Sequence, residues 1–169
     1  MSEKVLELNN LAVSFNTTEG EVEAVRGVDL SVNAGEILCI VGESGCGKTV
    51  MCQSVMHLLP PYAYIKHGTM SVCGQDITNY TEKQMRKLRG SVVSMVFQDP
   101  LATLNPTIPI GKQITEAILK HQKVTKAAAK ARALELLGMV GIEDAANRFD
   151  LQPHFFSGGM RQRCVIAAA

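Results

Sequence analysis

The sequence predicts a mixed α/β chain, in which a parallel sheet follows an antiparallel β region and precedes a helical region. Three observations carry this. Short β-favouring pieces separated by turn residues fill residues 5–32; two unbroken apolar runs, EILCIV and SVVSMVF, have the pattern of strands buried on both faces; and residues 111–140 place apolar side chains at helical spacing. With 46% hydrophobic and 20% charged residues over 169 positions, the composition is that of a globular domain rather than a disordered chain.

In chain order, residues 5–8, 11–15, 22–25 and 28–32 are expected as short strands, with AsnAsn, ThrThrGluGly and ArgGly as the turns of a meander. EILCIV at 36–41 then points a buried strand at a glycine-rich loop. A helix follows, with Met51, Val55, Leu58 and Leu59 on one face until Pro60 and Pro61 end it. Residues 68–72 form another short strand, and the run at 91–97 delivers Gln98 and Asp99 at its carboxyl end. Ile114, Ala117 and Ile118, then Ala131, Leu134 and Leu137, mark two helices; Thr125 caps the second and Gly138 terminates it. The final stretch, HFFSGGMRQRCVIAAA, opens one more helix behind Ser157 and contains no residue suited to closing it.

Charge and cysteine usage narrow the function. Lysine and arginine total 17 against 16 acidic residues, so a net charge of +1 gives no global attraction to nucleic acid or anionic lipid. Five cysteines without a CxxC pair fit reduced thiols rather than disulfides or zinc. The opening MSEKVLELNN lacks a signal-peptide core, and no apolar run approaches the roughly 20 residues of a spanning helix, so membrane work is expected only through a partner. Residues 112–132 carry Lys112, Lys120, Lys123, Lys126, Lys130 and Arg132 against Glu116, a local excess of +5. No aromatic interleaves these charges, which favours a solvated helical face over a nucleic-acid or lipid patch.

The chemistry concentrates in GESGCGKT, residues 42–49, which satisfies GxxxxGK[ST] between a strand and a helix. Phosphate oxygens need several converging backbone amides. Gly42, Gly45 and Gly47 let the chain curl into such a nest with Glu43, Ser44 and Cys46, and the helix N-terminus at Thr49 and Val50 adds partial positive charge. Lys48 brings a full charge to the β and γ phosphates, and the Thr49 hydroxyl suits Mg²⁺. A thiol at Cys46, on a helix N-terminus beside Lys48, is expected to be reactive, or simply to be a small residue that fits. Kinases, GTPases and motors share this loop. Gln98 sits where ligands gather in open α/β sheets, able to reach Mg²⁺ or an attacking water, or only to cap the sheet.

GESGCGKT, then FQDP with TLNP close behind, then FSGGMRQR, in that order, resembles the nucleotide-binding subunits of ABC transporters, and more narrowly the subgroup importing dipeptides, oligopeptides and, in some members, nickel. The resemblance spans essentially all 169 residues, LELNNLAVSF and LLGMVGI included. It implies a P-loop NTPase (RecA-like) fold, with 1–169 a partial nucleotide-binding domain: an antiparallel region at 1–35, the core at 36–100 and a helical subdomain at 101–169.

By the same resemblance, Phe15 stacks on the adenine of ATP, Lys48 serves the phosphates, Thr49 and Gln98 hold Mg²⁺, and Gln98 links nucleotide to permease. Ser157, Gly158 and Gly159 bind the γ-phosphate held by a second ATP-binding subunit in a head-to-tail dimer, homomeric or heteromeric. Transmembrane permease subunits dock on the helical subdomain, which places the protein peripherally on the cytoplasmic face of the membrane. Phe156 departs from the leucine usual before SerGlyGly. Nor does an apolar strand ending in AspGlu follow Gln98, and none of His57, His67, His121 and His154 matches the family's switch histidine; each is expected on a surface or in a turn. The 169 residues are therefore expected to be the front portion of a longer ABC-type ATPase, binding ATP without turning it over.

Overall fold

A computed structural model describes residues 3–169, which divide into two compact units, one ending at Arg89 and the other spanning Gly90–Ala169. The first contains β1 (Lys4–Thr17), β2 (Gly20–Asn33), α1 (Lys48–Val55), β3 (Ala63–Val72), β4 (Gln75–Asp76) and α2 (Glu82–Leu88). Its sheet runs β2-β1-β3-β4 with every pairing antiparallel.

The four short strands expected from the sequence are two long ones. ThrThrGluGly is the hairpin turn as expected: Thr17 pairs with Gly20, and the Thr17 hydroxyl donates to the Gly20 carbonyl at 2.7 Å. AsnAsn and ArgGly are bulges instead of turns. Asn10 (φ 46°) and Gly27 (φ 66°) take the left-handed conformation, the register shifts between Leu8 and Leu11, and the Asn10 amide donates to the Asp29 carboxylate at 2.7 Å. A bulge lets each strand continue because Leu8, Leu11 and Val13 all remain buried in one core with Val25, Met51, Val55 and Met70.

Helix α1 stops at Val55, short of the prolines. His57 (φ 49°) occupies the left-handed position after the helix, its amide donating to Ser54 O at 3.0 Å and the Leu58 amide to Gln53 O at 2.9 Å. The Arg89 guanidinium reinforces this end, with Nε donating to Met56 O at 2.8 Å and Nη2 to His57 O at 3.0 Å, while Nη1 meets both Glu82 carboxylate oxygens at 3.0 Å. His57 does lie in a turn, but its ring is half-buried; burial lowers its pKa, and its Nε2 has no partner among the described residues.

The parallel layer departs from expectation. Residues 36–41 and 91–97 join no sheet among the described residues; 91–92 lie in a turn and Val93 makes one isolated bridge. A strand exists only through ladder bonds to a neighbour, and none lies beside 36–41; Ile37 is therefore 97% and Val41 84% exposed. Residues 91–97 are tied instead to the last helix and its end, by Ser94 Oγ donating to Ala169 O at 2.7 Å and Gln162 Nε2 to Phe97 O at 3.5 Å.

The second unit is helical: α3 (Pro100–Thr103), α4 (Ile110–His121), α5 (Lys126–Met139), α6 (Ala145–Arg148), a 3-10 turn at Pro153–Phe155 and α7 (Gly158–Ala168). Ile110, Ile114 and Ile118 of α4 meet Ala129, Ala133 and Leu137 of α5 in a core completed by Phe149, Phe156 and Cys164. Ala131 faces outward, because the buried α5 stripe starts two residues earlier than the sequence suggests. Thr125 caps α5 as expected, accepting from the Ala128 amide at 3.2 Å.

Gly138, however, lies inside α5. The helix closes at Gly141 (φ 73°), whose amide donates to Gly138 O while the Ile142 amide donates to Leu137 O, both at 2.9 Å; buried Ile142 and Leu137 complete the motif. Arg163 adds a donor to Gly141 O at 2.6 Å.

Nothing lies within 4 Å of where a Cβ on Gly138 would stand, so Gly138→Ala should stabilise the protein by about 0.5–1 kcal/mol. Gly141→Ala should destabilise it by about 1–2 kcal/mol, because alanine resists the left-handed conformation; urea melts of both variants measure the pair. Lys66 Nζ stands 2.9 Å from the Glu21 carboxylate and holds that group down at about 2, against 4.5 ordinarily. A depressed carboxyl stabilises above its unfolded pKa and loses this on acidification, so stability should fall between pH about 5 and about 2, and Glu21→Gln should flatten that part of the pH–stability curve.

Candidate functional site

The glycine loop leaves residue 41 fully exposed and enters α1 through Gly47 at φ 92°. A Cβ on Gly47 would lie 2.4 Å from the Ala24 carbonyl, so only glycine lets the loop pass β2 at this distance. Gly45 (φ 83°) supplies the other left-handed turn. Between them the chain curls so tightly that Lys48 Nζ donates to the carbonyls of Gly42 and Glu43, both at 2.7 Å, and lies 3.4 Å from Cys46 Sγ.

Helix α1 offers its amides outward. Its first backbone bond is Met51 N to Gly47 O at 2.9 Å, which leaves the amides of Lys48, Thr49 and Val50 ahead of the ladder; no side chain caps them and no carboxylate stands in the first turn. Uncapped amides, the positive end of a helix and an ammonium within the same turn suit an anion with several oxygens. Thr49 is exposed beside them, and Val50 turns partly into the core. Glu43 and Ser44 are exposed on the loop's outer side. A cleft of about 710 Å³ opens here, walled by residues 45–48 and by Val25 and Val28 of β2.

Phe15 is half-buried on β1, its ring centroid 5.9 Å from that of Tyr62 at a 48° tilt, outside the cleft lining. Tyr62 is an exposed aromatic that sequence reasoning did not single out; the two come together because the Asn16 amide pairs with the Tyr62 carbonyl at 2.8 Å.

The remaining residues belong to the second unit. Gln98 is exposed at the end of the 91–97 segment. Asp99 caps α3, its carboxylate accepting from the Leu101 amide at 2.8 Å, so it is already engaged as a helix cap. The TLNP segment behind it is pinned by Gln113, which accepts from Asn105 N at 2.9 Å and donates to Ile108 O at 2.7 Å. Ser157 caps α7, accepting from Met160 N at 3.4 Å, and Gly158 and Gly159 are exposed in its first turn with open space where side chains would stand. Phe156 fits well: it is 2% exposed in the helical core, while its neighbour Phe155 faces out against the His154 ring at 4.1 Å.

No cluster of three or more His, Cys, Asp or Glu able to hold a metal occurs among the described residues. Arg89 and Arg163 act on backbone carbonyls far off in sequence and Gln113 on carbonyls five and eight residues away, and no motif announces such roles.

A family model described as "ABC transporter" matches residues 25–169. The oligopeptide transport ATP-binding protein OppD of Bacillus subtilis is 52% identical over 98% of this chain and 47% of its own length. The dipeptide transport ATP-binding protein DppD of the same organism is 51% identical over 99% of this chain and 50% of its own. The chain thus spans about half the length of the curated relatives it matches. Among solved structures, an ATP-binding cassette dimer in a post-hydrolysis state bound to ADP and Pi superposes with a TM-score of 0.86 at 24% identity, over 96% of this chain and 68% of that one, which shows the fold.

Because Cys46 Sγ points into the loop beside Lys48, a bound nucleoside triphosphate should slow its alkylation severalfold, while Cys39 and Cys73, also exposed, serve as internal references. Peptide mapping after timed labelling reads this out, and unchanged Cys46 rates at saturating nucleotide would count against a phosphate in the loop.

Proposed function

Because the chain belongs to the ABC transporter family, we propose that it carries the ATP-binding machinery of a subunit that energises peptide import across a membrane. The observation that carries this reading is the loop itself: uncapped amides at 48–50, a glycine-only passage at Gly47 and an ammonium 2.7 Å from two loop carbonyls. In this structure Lys48 spends its donors on those carbonyls. A triphosphate, a stronger acceptor, would draw the ammonium across the loop mouth.

Magnesium–ATP, when bound, supplies the phosphoanhydride whose cleavage drives transport. The chain's own residues would hold it. Residues 42–50 would cradle the phosphates, the Thr49 hydroxyl and Gln98 amide oxygen would face Mg²⁺, and Phe15, next to Tyr62, would meet the adenine. Ser157, Gly158 and Gly159, a capped turn with open space above it, suit the γ-phosphate carried by a second ATP-binding subunit. Residues 1–169 act in this proposal as a partial nucleotide-binding domain, with the helical region and the Gln98 loop turned to permease subunits.

Among the described residues no helix is long and apolar enough to cross a membrane; membership of the transporter family favours a peripheral position on the cytoplasmic face. The relatives' names, oligopeptide and dipeptide transport, favour peptides over nickel as cargo.

A reading of these residues as a binding module that does not itself turn ATP over is favoured by one observation. General-base chemistry needs a carboxylate positioned near the γ-phosphate, and Asp99 is instead positioned as the cap of α3 by the Leu101 amide at 2.8 Å. Titration calorimetry of the chain should detect magnesium–ATP uptake, weakened about tenfold or more by Lys48→Ala through loss of a charge-assisted contact. Phosphate release by the same material should match the protein-free background. Uptake that survives Lys48→Ala unchanged would refute the assignment of the loop.

A further inference from the structure

We propose that the α4–α5 corner, which the lack of aromatics alone would leave as a solvated face, is a docking surface for an anionic membrane. Residues 112–132 hold six positive charges and one negative, an excess of +5 in a chain whose net charge is +1, so the rest of the molecule is acidic on balance. Every one of the six is exposed. Three sit together at the corner: Lys120 in the last turn of α4, Lys123 in the connection and Lys126 as the first residue of α5. None of these three has an ion partner among the described residues, whereas Lys112 reaches Glu116, Arg132 binds Glu135 at 2.7 Å and Lys130 lies over the Phe149 ring at 4.8 Å.

Lys120, in the last turn of α4, suits that helix's negative end, but fold stability does not account for the rest of the arrangement. Lys126 opens α5, where the helix end is itself positive and where carboxylates, absent here, would stabilise. Charge held against that field points to an external anion.

The chemistry of the patch selects which kind. The unpaired cations are all lysines, compact hydrated charges without the planar fork that recognises a single phosphate or carboxylate, and the one arginine is already engaged. No aromatic stands among them to stack on bases. Val124 projects between Lys123 and Lys126 with 40% of its surface exposed, and Ala127, Ala128 and Ala131 leave the adjoining helix face flat. Diffuse positive charge around one apolar tip on a flat face fits a lipid surface bearing acidic headgroups.

The surface rests on no nucleotide chemistry, so it is tested without ATP and without permease, and its failure is separate from failure of the phosphate loop. Purified chain is floated with vesicles of phosphatidylcholine alone or with 30% phosphatidylglycerol added, at about 20 and about 150 mM salt. Binding should require the anionic lipid and weaken as salt rises. Each lysine at such a surface contributes roughly fivefold, so Lys120→Gln/Lys123→Gln/Lys126→Gln should lower partitioning at least tenfold with an unchanged circular dichroism melt. Equal binding to neutral and acidic vesicles, a triple variant that partitions like the parent, or tighter binding to a single-stranded oligonucleotide than to acidic vesicles would each overturn it; the lipid and salt dependence of the parent chain decides even where the variant does not fold.

Discussion

A helix begins with amides that its own backbone cannot satisfy, and the way each helix here meets that constraint separates structure from function. Thr81 and Gln84 form a reciprocal box at the start of α2. Asp99 caps α3, Thr125 caps α5 and Ser157 caps α7. Helix α4, which begins after a proline, sends its Ile110 and Gly111 amides to the carbonyls of Leu151 and Phe149 at 3.0 and 2.9 Å. Among the described helices of eight residues or more, only α1 enters from a left-handed glycine with neither a side-chain cap nor a carboxylate in its first turn. Its amides have no side-chain cap, and the curl of residues 42–47 together with the Lys48 charge suits the polyanion proposed as its ligand.

Legibility in the sequence followed how local each cause is. The phosphate loop was readable because its requirements, glycines that admit left-handed backbone and a lysine one residue after the last of them, lie within eight positions. The Thr125 and Ser157 caps were readable for the same reason, their acceptors reaching amides three residues on. AsnAsn and ArgGly were ambiguous locally: both permit positive φ, and whether the strand turns back or merely bulges depends on whether Leu8 and Leu11 can face one core, which is tertiary information. Gly138 and Gly141 posed the same ambiguity on a helix, and the buried Ile142–Leu137 contact chose the second.

The two parallel-sheet runs show the limit from the other side. EILCIV has every intrinsic preference of a buried strand, β-branched and apolar without alternation, yet preference cannot supply the neighbour whose carbonyls and amides complete a ladder. Its backbone joins no ladder and its side chains are in water. SVVSMVF begins in a turn, and its later residues are held by a serine hydroxyl and a glutamine amide instead of by strands. The strand preference of these residues is legible in the sequence, and the neighbours that would realise it are not.

What positions the phosphate loop is a set of contacts at the far end of the helix that follows it. α1 terminates in the left-handed region at His57, a residue that tolerates this conformation less well than glycine by about 1 kcal/mol. Arg89 opposes the loss: its guanidinium donates to the carbonyls of residues 56 and 57 and is itself oriented by the Glu82 carboxylate. Two buried side chains on one face of α1, Met51 and Val55, meet the same core as β1 and β3. The helix is therefore fixed along its length and at its carboxyl end, and the only freedom remaining lies at the amino end, in the loop and the Lys48 side chain. That distribution is what an anion cradle needs, since amides held in place by packing lose little entropy when a phosphate arrives, while one flexible ammonium can leave its carbonyls to close over it.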